Sequence, residues 1–417
     1  MYTNTNRNLS SYRISKLSIV VIFIFLLATM RCWIGFEGRL LLMQLAFPVI
    51  MFIFYLESPR SFTFKSRYVG FSVLVALSLL LLIRSSLNLV GYINQILPAV
   101  GILLVVSIND EYKEYVFSKI IEWFGVLMVL SIPIYLFTLF VQLPSFGTIM
   151  ADYGGSIIAG KYANYLFYIC PQQIVGDVTF RRFNGPFIES GDVGCVAAFM
   201  LMAARFDFKR YKYLWAVLAG LILSFSLAGY MLVFFAYYTT YINGRKGKKY
   251  SFTLAIIITL GFYMFGTFYN GGDNLINEQI LSRLQSDEER GFVGNNRTSL
   301  LKLDYFYAMF NDPQTIWFGY DKITIDRLME TGLGDGFVNQ TLSVGLMGVL
   351  GLVLPFLYFT ISSSSRKYAW LFFIFFLMYF FQRTETTWMS IVICYVYGII
   401  FSEIDKINKN RSLQNER

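Results

Sequence analysis

The stretch FVNQTLSVGLMGVLGLVLPFLYFTI (residues 337–361) decides the fold class, because it contains no charged side chain. A helix needs about 20 consecutive apolar residues to cross the hydrocarbon core of a bilayer, and this stretch exceeds that length. The whole chain has a matching composition: 56% of its 417 residues are hydrophobic and 15% are charged, whereas soluble domains average about 25% charged residues. The sequence therefore predicts an all-α polytopic membrane protein.

Similar apolar stretches recur along the chain, separated by short charged segments. Together with 337–361 they predict about twelve transmembrane helices. One pair is ambiguous, because residues 213–242 form a single apolar run that divides near SLAG (226–229). One kinked helix there, and about eleven helices in all, is the alternative. The further stretches are 17–34, 39–56, 68–83, 88–108, 120–141, 191–204, 213–227, 229–242, 250–269, 367–381 and 387–402.

The distribution of lysine and arginine predicts the orientation of these helices. With twelve spans and a cytoplasmic N-terminus, most of the 35 basic residues fall in short cytoplasmic segments, as the positive-inside rule requires. An eleven-span arrangement would separate RFDFKRYK (205–212) from NGRKGKK (243–249), so twelve spans are favoured, with both termini cytoplasmic. The net charge of +9 then indicates topology and contact with anionic membrane lipids. It does not indicate nucleic acid binding, because the basic residues are divided among separate segments.

Two long loops fall on the predicted outer face, at 142–190 and 270–336, and loops of this length are usually functional. The second loop is long enough to close over a site as a lid. This pattern divides the chain into five parts. They are 1–141 (transmembrane helices 1–5), 142–190 (first long periplasmic loop), 191–269 (transmembrane helices 6–9), 270–336 (second long loop and lid) and 337–417 (transmembrane helices 10–12 and a cytoplasmic tail).

Several kinds of chemistry are excluded by the residues that the sequence lacks. The chain contains no histidine, which removes histidine acid–base catalysis and nearly every zinc site. The segment GRKGKK (244–249) lacks the spacing of a phosphate-binding loop. No Asp-x-Asp pair is present, and the four cysteines form no metal-spaced cluster. We therefore expect no metal and no cofactor; a pairing of Cys170 with Cys195 is left open.

Charged side chains on the predicted outer face are the candidate functional residues. Arginine binds phosphate through its planar bidentate fork, and a carboxylate can accept the proton of a hydroxyl that it activates. The combination suits attack of a hydroxyl on a carbon whose leaving group is a diphosphate, with arginines neutralising that group. The candidate substrate-binding residues are Arg181, Arg182, Arg283, Arg290 and Arg297, and the candidate catalytic bases are Asp335 and Glu189.

Each candidate also has a purely structural interpretation. Glu189 could complement the positive N-terminus of the helix that begins near residue 191. Asp335 could cap the helix that begins at 337. Arg182 could extend to lipid phosphates at a helix end. Arg383 and Glu385, in the short turn QRTETT (382–387), are interpreted as a local ion pair.

Four segments resemble the O-antigen polymerases of the Wzy type and the wider polymerase/ligase superfamily. RFNGPFIE (182–189) is similar to the family's Arg-x-x-Gly-x-Phe-x-Glu segment before a membrane helix. ILSFSLAGYMLVF (222–234) resembles the Ser-rich helix that follows. The stretch 297–321 and then GDGFVNQTLSVGLMGVLG (334–351) resemble the family's second loop and the Gly-rich helix after it. The resemblance covers about 180–355 in motif and the whole chain in topology.

The resemblance implies a GT-C-like fold and a function. Such enzymes polymerise polyprenyl-diphosphate-linked oligosaccharides into O-antigen at the periplasmic face of the bacterial inner membrane, in partnership with a chain-length-regulating co-polymerase. Transfer would be metal-independent and inverting, with Arg182 and Arg297 holding the diphosphate and Asp335 or Glu189 accepting a proton.

Two alternatives remain open. Ligases of the superfamily carry a histidine where this chain has Asp335, so the polymerase is favoured over an O-antigen ligase. A flippase or exporter of lipid-linked glycans is the second alternative. It would be expected to show paired halves and charges near the middle of the membrane.

Overall fold

The computed structural model describes most of the chain. The described residues are 15–35, 39–82, 89–151, 160–172, 182–242, 260–330 and 336–415. Within 260–330, the description leaves out residues 262, 275, 283–285, 288–290 and 293–298.

Helices dominate the described residues, in agreement with the predicted all-α class. The α-helices are α1 (Lys16–Thr29), α2 (Arg39–Glu57), α3 (Ser66–Leu81), α4 (Leu89–Val106), α5 (Asp110–Thr138), α6 (Ser190–Ala203), α7 (Leu214–Leu223), α8 (Leu227–Ile242), α9 (Leu300–Ala308), α10 (Pro313–Phe318), α11 (Lys322–Glu330), α12 (Phe337–Ile361), α13 (Arg366–Gln382) and α14 (Met389–Asn415). Short 3-10 helices lie at Trp33–Gly35, Pro59–Ser61, Tyr269–Gly272 and Met309–Asn311, and a π-helix at Asn277–Leu281.

Most of the predicted apolar stretches coincide with these helices, but only two of the described helices are long enough to be clear candidates for crossing a membrane. Among the described residues, α5 and α12 are long and apolar enough to cross a membrane, and several other apolar helices are shorter. The run at 213–242 divides into α7 and α8 between Leu223 and Leu227. Most of the stretch 250–269 lies outside the described residues. The count of twelve spans therefore stays a prediction.

Helix α6 lies at the centre of the bundle and is buried over nearly its whole length. Glycines let α8 approach it closely, since an ideal Cβ on Gly229 would fall 2.8 Å from the Cα of Gly194. Further along, the hydroxyl of Thr239 on α8 lies 4.0 Å from the sulfur of Met202 on α6. The two helices therefore run side by side in the same direction, and α7 makes the return between them.

Helix α12 is broken at Gly345, which has a φ of +63° and a ψ of −174°. This conformation is open to glycine because it has no Cβ, and a side chain at 345 would also collide with the carbonyl of Trp317. The break interrupts the helical hydrogen bonds, and the backbone N–H of Tyr320 donates to the carbonyl of Leu342 at 2.9 Å. A segment of the second long loop thus completes the backbone hydrogen bonding of the broken helix.

The first long loop contains a small antiparallel sheet of β1 (Thr148–Ala151), β2 (Gly160–Asn164) and β3 (Ile169–Gln172), in that order. Thr148 pairs with Ala163 across β1 and β2, and Ala163 pairs with Cys170 across β2 and β3. A second sheet joins β4 (Ser286–Asp287) to β5 (Gly291–Phe292). These few short strands lie in the two long loops, and the chain remains all-α in class.

One end of the bundle carries a buried charge network, which we name the Lys113 end. The ammonium of Lys113 is fully buried and lies 2.7 Å from the Asp110 carboxylate. Arg67 binds Glu403 at 2.6 Å, and Glu403 also accepts from the hydroxyl of Ser363 at 2.8 Å. Arg67, which the sequence assigned to topology alone, thus also joins α3 to α14. Lys113 pairs within α5, and the Tyr68 hydroxyl on α3 joins the two helices by donating to Asp110 at 2.6 Å.

Candidate functional site

The opposite end of the bundle is built around the turn RFNGPFIE (182–189). Its apolar side chains are buried, and the amide nitrogen of Asn184 donates to the carbonyls of Phe187 at 2.6 Å and Ile188 at 3.3 Å. Gly185 has a φ of +56°, which favours glycine at the bend. These bonds fix the backbone that leads into α6 and so determine where the Glu189 side chain begins.

Neighbouring segments hold this turn on three sides. The N–H of Phe183 donates to the Leu223 carbonyl at 3.1 Å, at the point where α7 ends, and the N–H of Ile169 on β3 donates to the Gly185 carbonyl at 2.9 Å. Phe187 forms a β-bridge with Cys32, just after α1. The bridge brings the neighbouring residue, Arg31, to the start of α6.

Glu189 lies between two arginines. One carboxylate oxygen is 3.4 Å from Nη1 of Arg31, and the other is 2.5 Å from Nη2 of Arg383. Glu189 is the N-cap residue of α6, but its side chain makes no capping hydrogen bond. Its carboxylate therefore pairs with two guanidinium groups, and it also lies at the start of α6, where its charge can complement the helix N-terminus.

Arg383 is the buried centre of the site, with a side chain that is only 2% exposed. Besides Glu189 it donates to the carboxylate of Asp192, which is fully buried. Gly191 makes room for it, because a side chain there would collide with the guanidinium. Burial alone lowers the pKa of Arg383, but the facing carboxylates of Asp192 and Glu189 outweigh it and hold the pKa well above its usual value.

Arg31 extends the site toward solvent. Its Nη2 lies 3.0 Å from the Glu385 carboxylate, and a quarter of its side chain (25%) is exposed. The backbone of Arg31 has a φ of +55°, in a region that residues other than glycine rarely occupy. We name the set of Arg31, Glu189, Asp192, Arg383 and Glu385 the charge cluster; it holds two arginines and three acidic side chains.

The charge cluster corrects the interpretation of the turn at 382–387. Arg383 reaches across to α6, and Glu385 reaches Arg31 after α1. The local pair was expected because the two residues are close in sequence. Arg31 and Asp192 were not singled out as site residues either. A weak signal existed for Asp192, which is a carboxylate at the start of a very apolar segment.

The structure tests the position of only some predicted site residues. Glu189 lies in the charge cluster, and Arg182 begins the buried turn with a partly exposed side chain. Gly336, the residue after Asp335, would bring a Cβ within 3.8 Å of the carbonyl of Gln382. The start of α12 therefore lies beside the turn that carries Arg383. The predicted residues Arg181, Arg283, Arg290, Arg297 and Asp335 lie outside the described residues.

Within the described residues, no three His, Cys, Asp or Glu side chains are arranged to hold a metal ion. Comparison with protein-family models, with curated proteins and with solved structures finds no significant match. The function is therefore argued from the sequence and from the geometry of this end of the bundle.

Proposed function

We propose that the protein is a membrane glycosyltransferase that polymerises polyprenyl-diphosphate-linked oligosaccharide repeat units into an O-antigen-like surface polysaccharide. The observation that carries the proposal is the charge cluster, where the turn 182–189, the turn 382–387 and the start of α12 meet. Two of these three segments carry the resemblance to O-antigen polymerases, and they are far apart in the chain.

The proposed setting is the bacterial inner membrane, crossed about twelve times, with both termini in the cytoplasm. Helices α5 and α12, which are long and apolar enough to cross, support this setting. The alternation of the helices supports it too, because the Lys113 end, rich in lysine and arginine, would face the cytoplasm. The charge cluster would then face the periplasm, where lipid-linked repeat units are polymerised.

The donor's diphosphate would be held by arginines. Arg182 and Arg297 are the proposed ligands, and Arg181, Arg283 and Arg290 are further candidates in the same two loops. Arg31 joins them as a candidate, because a quarter of its side chain (25%) is exposed at the edge of the charge cluster. Arginine suits this role, since its charge and planar fork stabilise the negative charge that develops on the departing diphosphate.

Asp335 is the proposed general base, in preference to Glu189. Both oxygens of Glu189 already lie against guanidinium groups, so that carboxylate is engaged as an anchor. Asp335 precedes α12 by two residues in the sequence, and Gly336, the residue after it, lies beside the turn that carries Arg383. Glu189 and Asp192 would hold Arg383, and Glu189 and Glu385 would hold Arg31.

The proposed step is a single inverting displacement. A hydroxyl of the acceptor sugar attacks the anomeric carbon of the donor and forms the new glycosidic bond. The bond from that carbon to the diphosphate oxygen breaks, and its electron pair leaves with the polyprenyl diphosphate. The hydroxyl proton passes to the carboxylate base. No cofactor enters the step, and a chain-length-regulating co-polymerase is the proposed partner.

The test is an assay of purified protein in detergent, with a synthetic polyprenyl-diphosphate repeat unit and EDTA. The proposal predicts a mass ladder that increases by whole repeat units. Arg182→Gln should weaken it, whereas the control Arg210→Gln, which removes an exposed arginine that pairs with Glu114, should not. Intact substrate in the presence of folded protein would contradict the proposal, and movement of the lipid across liposomes would then favour a flippase.

A further inference from the structure

Part of the second long loop forms a compact helical layer, residues 300–330. Helices α9 and α11 pack with the start of α12 around a small apolar core of Met309, Leu328 and Leu342. The carboxylate of Asp312 accepts the backbone N–H groups of Gln314 and Thr315, each at 3.2 Å, and so caps α10. We name this unit the 300–330 layer.

The 300–330 layer is docked on the side of α12 and not on its tip. The backbone of Trp317 lies against Gly345, which is eight residues, or about 12 Å, along α12 from Phe337. Because α12 is broken at Gly345, its 25 residues span at most about 37 Å at 1.5 Å per residue. A hydrocarbon core is about 30 Å thick. If α12 crosses centrally, Gly345 therefore lies within the thickness of the hydrocarbon core.

The layer presents large aromatic side chains that the protein itself does not cover. Tyr307, Phe310, Trp317 and Phe318 are all exposed. Tryptophan and tyrosine concentrate at the boundary between lipid headgroups and acyl chains, where their rings have one apolar and one polar side. The apolar surface continues below the break along α12, where Met347, Leu350 and Leu354 are exposed at helical spacing.

Helix α11 is mostly charged on its exposed surface. It turns Leu328 inward, and its exposed side chains are Lys322, Asp326 and Arg327 together with Ile323. The layer thus combines an aromatic part near the break in α12 with a charged part on α11. An arrangement of this kind suits a structure that lies in the plane of a membrane interface.

We propose that the 300–330 layer is seated in the outer interface of the bilayer, with Tyr307, Phe310, Trp317 and Phe318 in contact with lipid. This part of the second long loop would then be anchored in the membrane interface. The inference rests on the proposed crossing of the membrane by α12, and it is independent of glycan transfer.

The test uses fluorophores on introduced cysteines, since the four native cysteines are buried. Phe318→Cys carries an NBD label on the aromatic part, and Asp326→Cys carries it on the charged part. Leu354→Cys reports whether α12 itself lies in lipid. The full-length proteins are reconstituted in phosphatidylcholine vesicles that contain lipids with a nitroxide near the headgroup or deep in the acyl chain, and aqueous iodide serves as the second quencher.

The proposal predicts that the emission of the label at 318 is blue-shifted and is quenched by the shallow nitroxide. The label at 326 should instead be quenched by iodide. Quenching of both labels by iodide alone would overturn it. So would a label at 318 that neither quencher reaches, because a second copy or another segment of protein would then cover the patch. A label at 354 that the deep nitroxide does not quench would instead disprove the membrane crossing.

Discussion

The guanidinium of Arg383 donates to the carboxylate of Asp192, although 191 residues separate them in the chain and their side chains are 2% and 0% exposed. A buried ion pair is costly to form, and removing one partner is more costly still, because the other charge is then left without compensation. The pair therefore fixes the turn 382–387 to the start of α6, where Glu189 lies.

Loss of Arg383 should destabilise the protein strongly. Arg383→Met leaves Asp192 buried beside an apolar side chain, and breaking a buried pair in this way costs about 3–5 kcal/mol. Thermal unfolding in detergent measures the effect. The control Arg210→Met breaks an exposed pair with Glu114, for which about 0–1 kcal/mol is expected.

Removing the Asp192 charge as well should recover part of the stability lost in Arg383→Met. In the double variant Arg383→Met/Asp192→Leu neither charge remains at the buried position, so its melting temperature should exceed that of Arg383→Met alone. A double variant that is less stable than the single one would argue against a buried pair as the source of the effect.

Glu189→Gln tests whether this residue anchors arginines or accepts the substrate proton. If Glu189 is an anchor, the neutral amide of the variant holds Arg31 and Arg383 less firmly, so stability should fall while repeat-unit transfer remains measurable. Glu189→Asp, which keeps the charge, should recover part of the stability. Complete loss of transfer in a Glu189→Gln protein with unchanged melting temperature would identify Glu189 as the base.

Gly345→Ala should release the 300–330 layer from α12. Alanine is strained at a φ of +63°, typically by about 1–3 kcal/mol, and its Cβ would collide with the Trp317 carbonyl. Limited proteolysis within residues 300–330 should accelerate. Gly261→Ala is the matched control, because an added Cβ there meets nothing within 4 Å. Equal cleavage rates in the two variants would contradict the docking.

Acid pH should weaken the cap of α10. A hydrogen bond from the Thr315 hydroxyl, together with backbone N–H groups, lowers the pKa of Asp312 below its ordinary value. The folded pKa is thus below the unfolded value of about 3.9. The stabilisation is present above that value and is lost as pH falls through the folded pKa. In wild type, the hydrogen-exchange protection of the backbone amides of residues 314 and 315 should decrease as pH falls through this pKa. The decrease should be smaller in Asp312→Asn.

The sequence predicted the helices well, because long apolar runs bounded by charged segments leave few other structures. It also allowed the division of residues 213–242 into two helices. It did not reveal the partners of Arg383, since residues 191 positions apart meet only through the packing of α6, α13 and α14. The break at Gly345 was also missed, because a glycine inside an apolar helix does not by itself indicate a positive φ. Of the predicted site, Glu189 was found at a charged cluster, but its two arginine partners came from segments that the motifs do not include.

The rate of repeat-unit addition by wild type and Asp335→Asn should be measured first, in EDTA, with a synthetic polyprenyl-diphosphate repeat unit. We expect a ladder from wild type and a rate about 10²–10⁴-fold lower in Asp335→Asn, the usual contribution of a general base, with both proteins equally folded. No ladder from folded wild-type protein would contradict glycosyl transfer itself. A ladder that Asp335→Asn produces at the wild-type rate would contradict the assignment of the base.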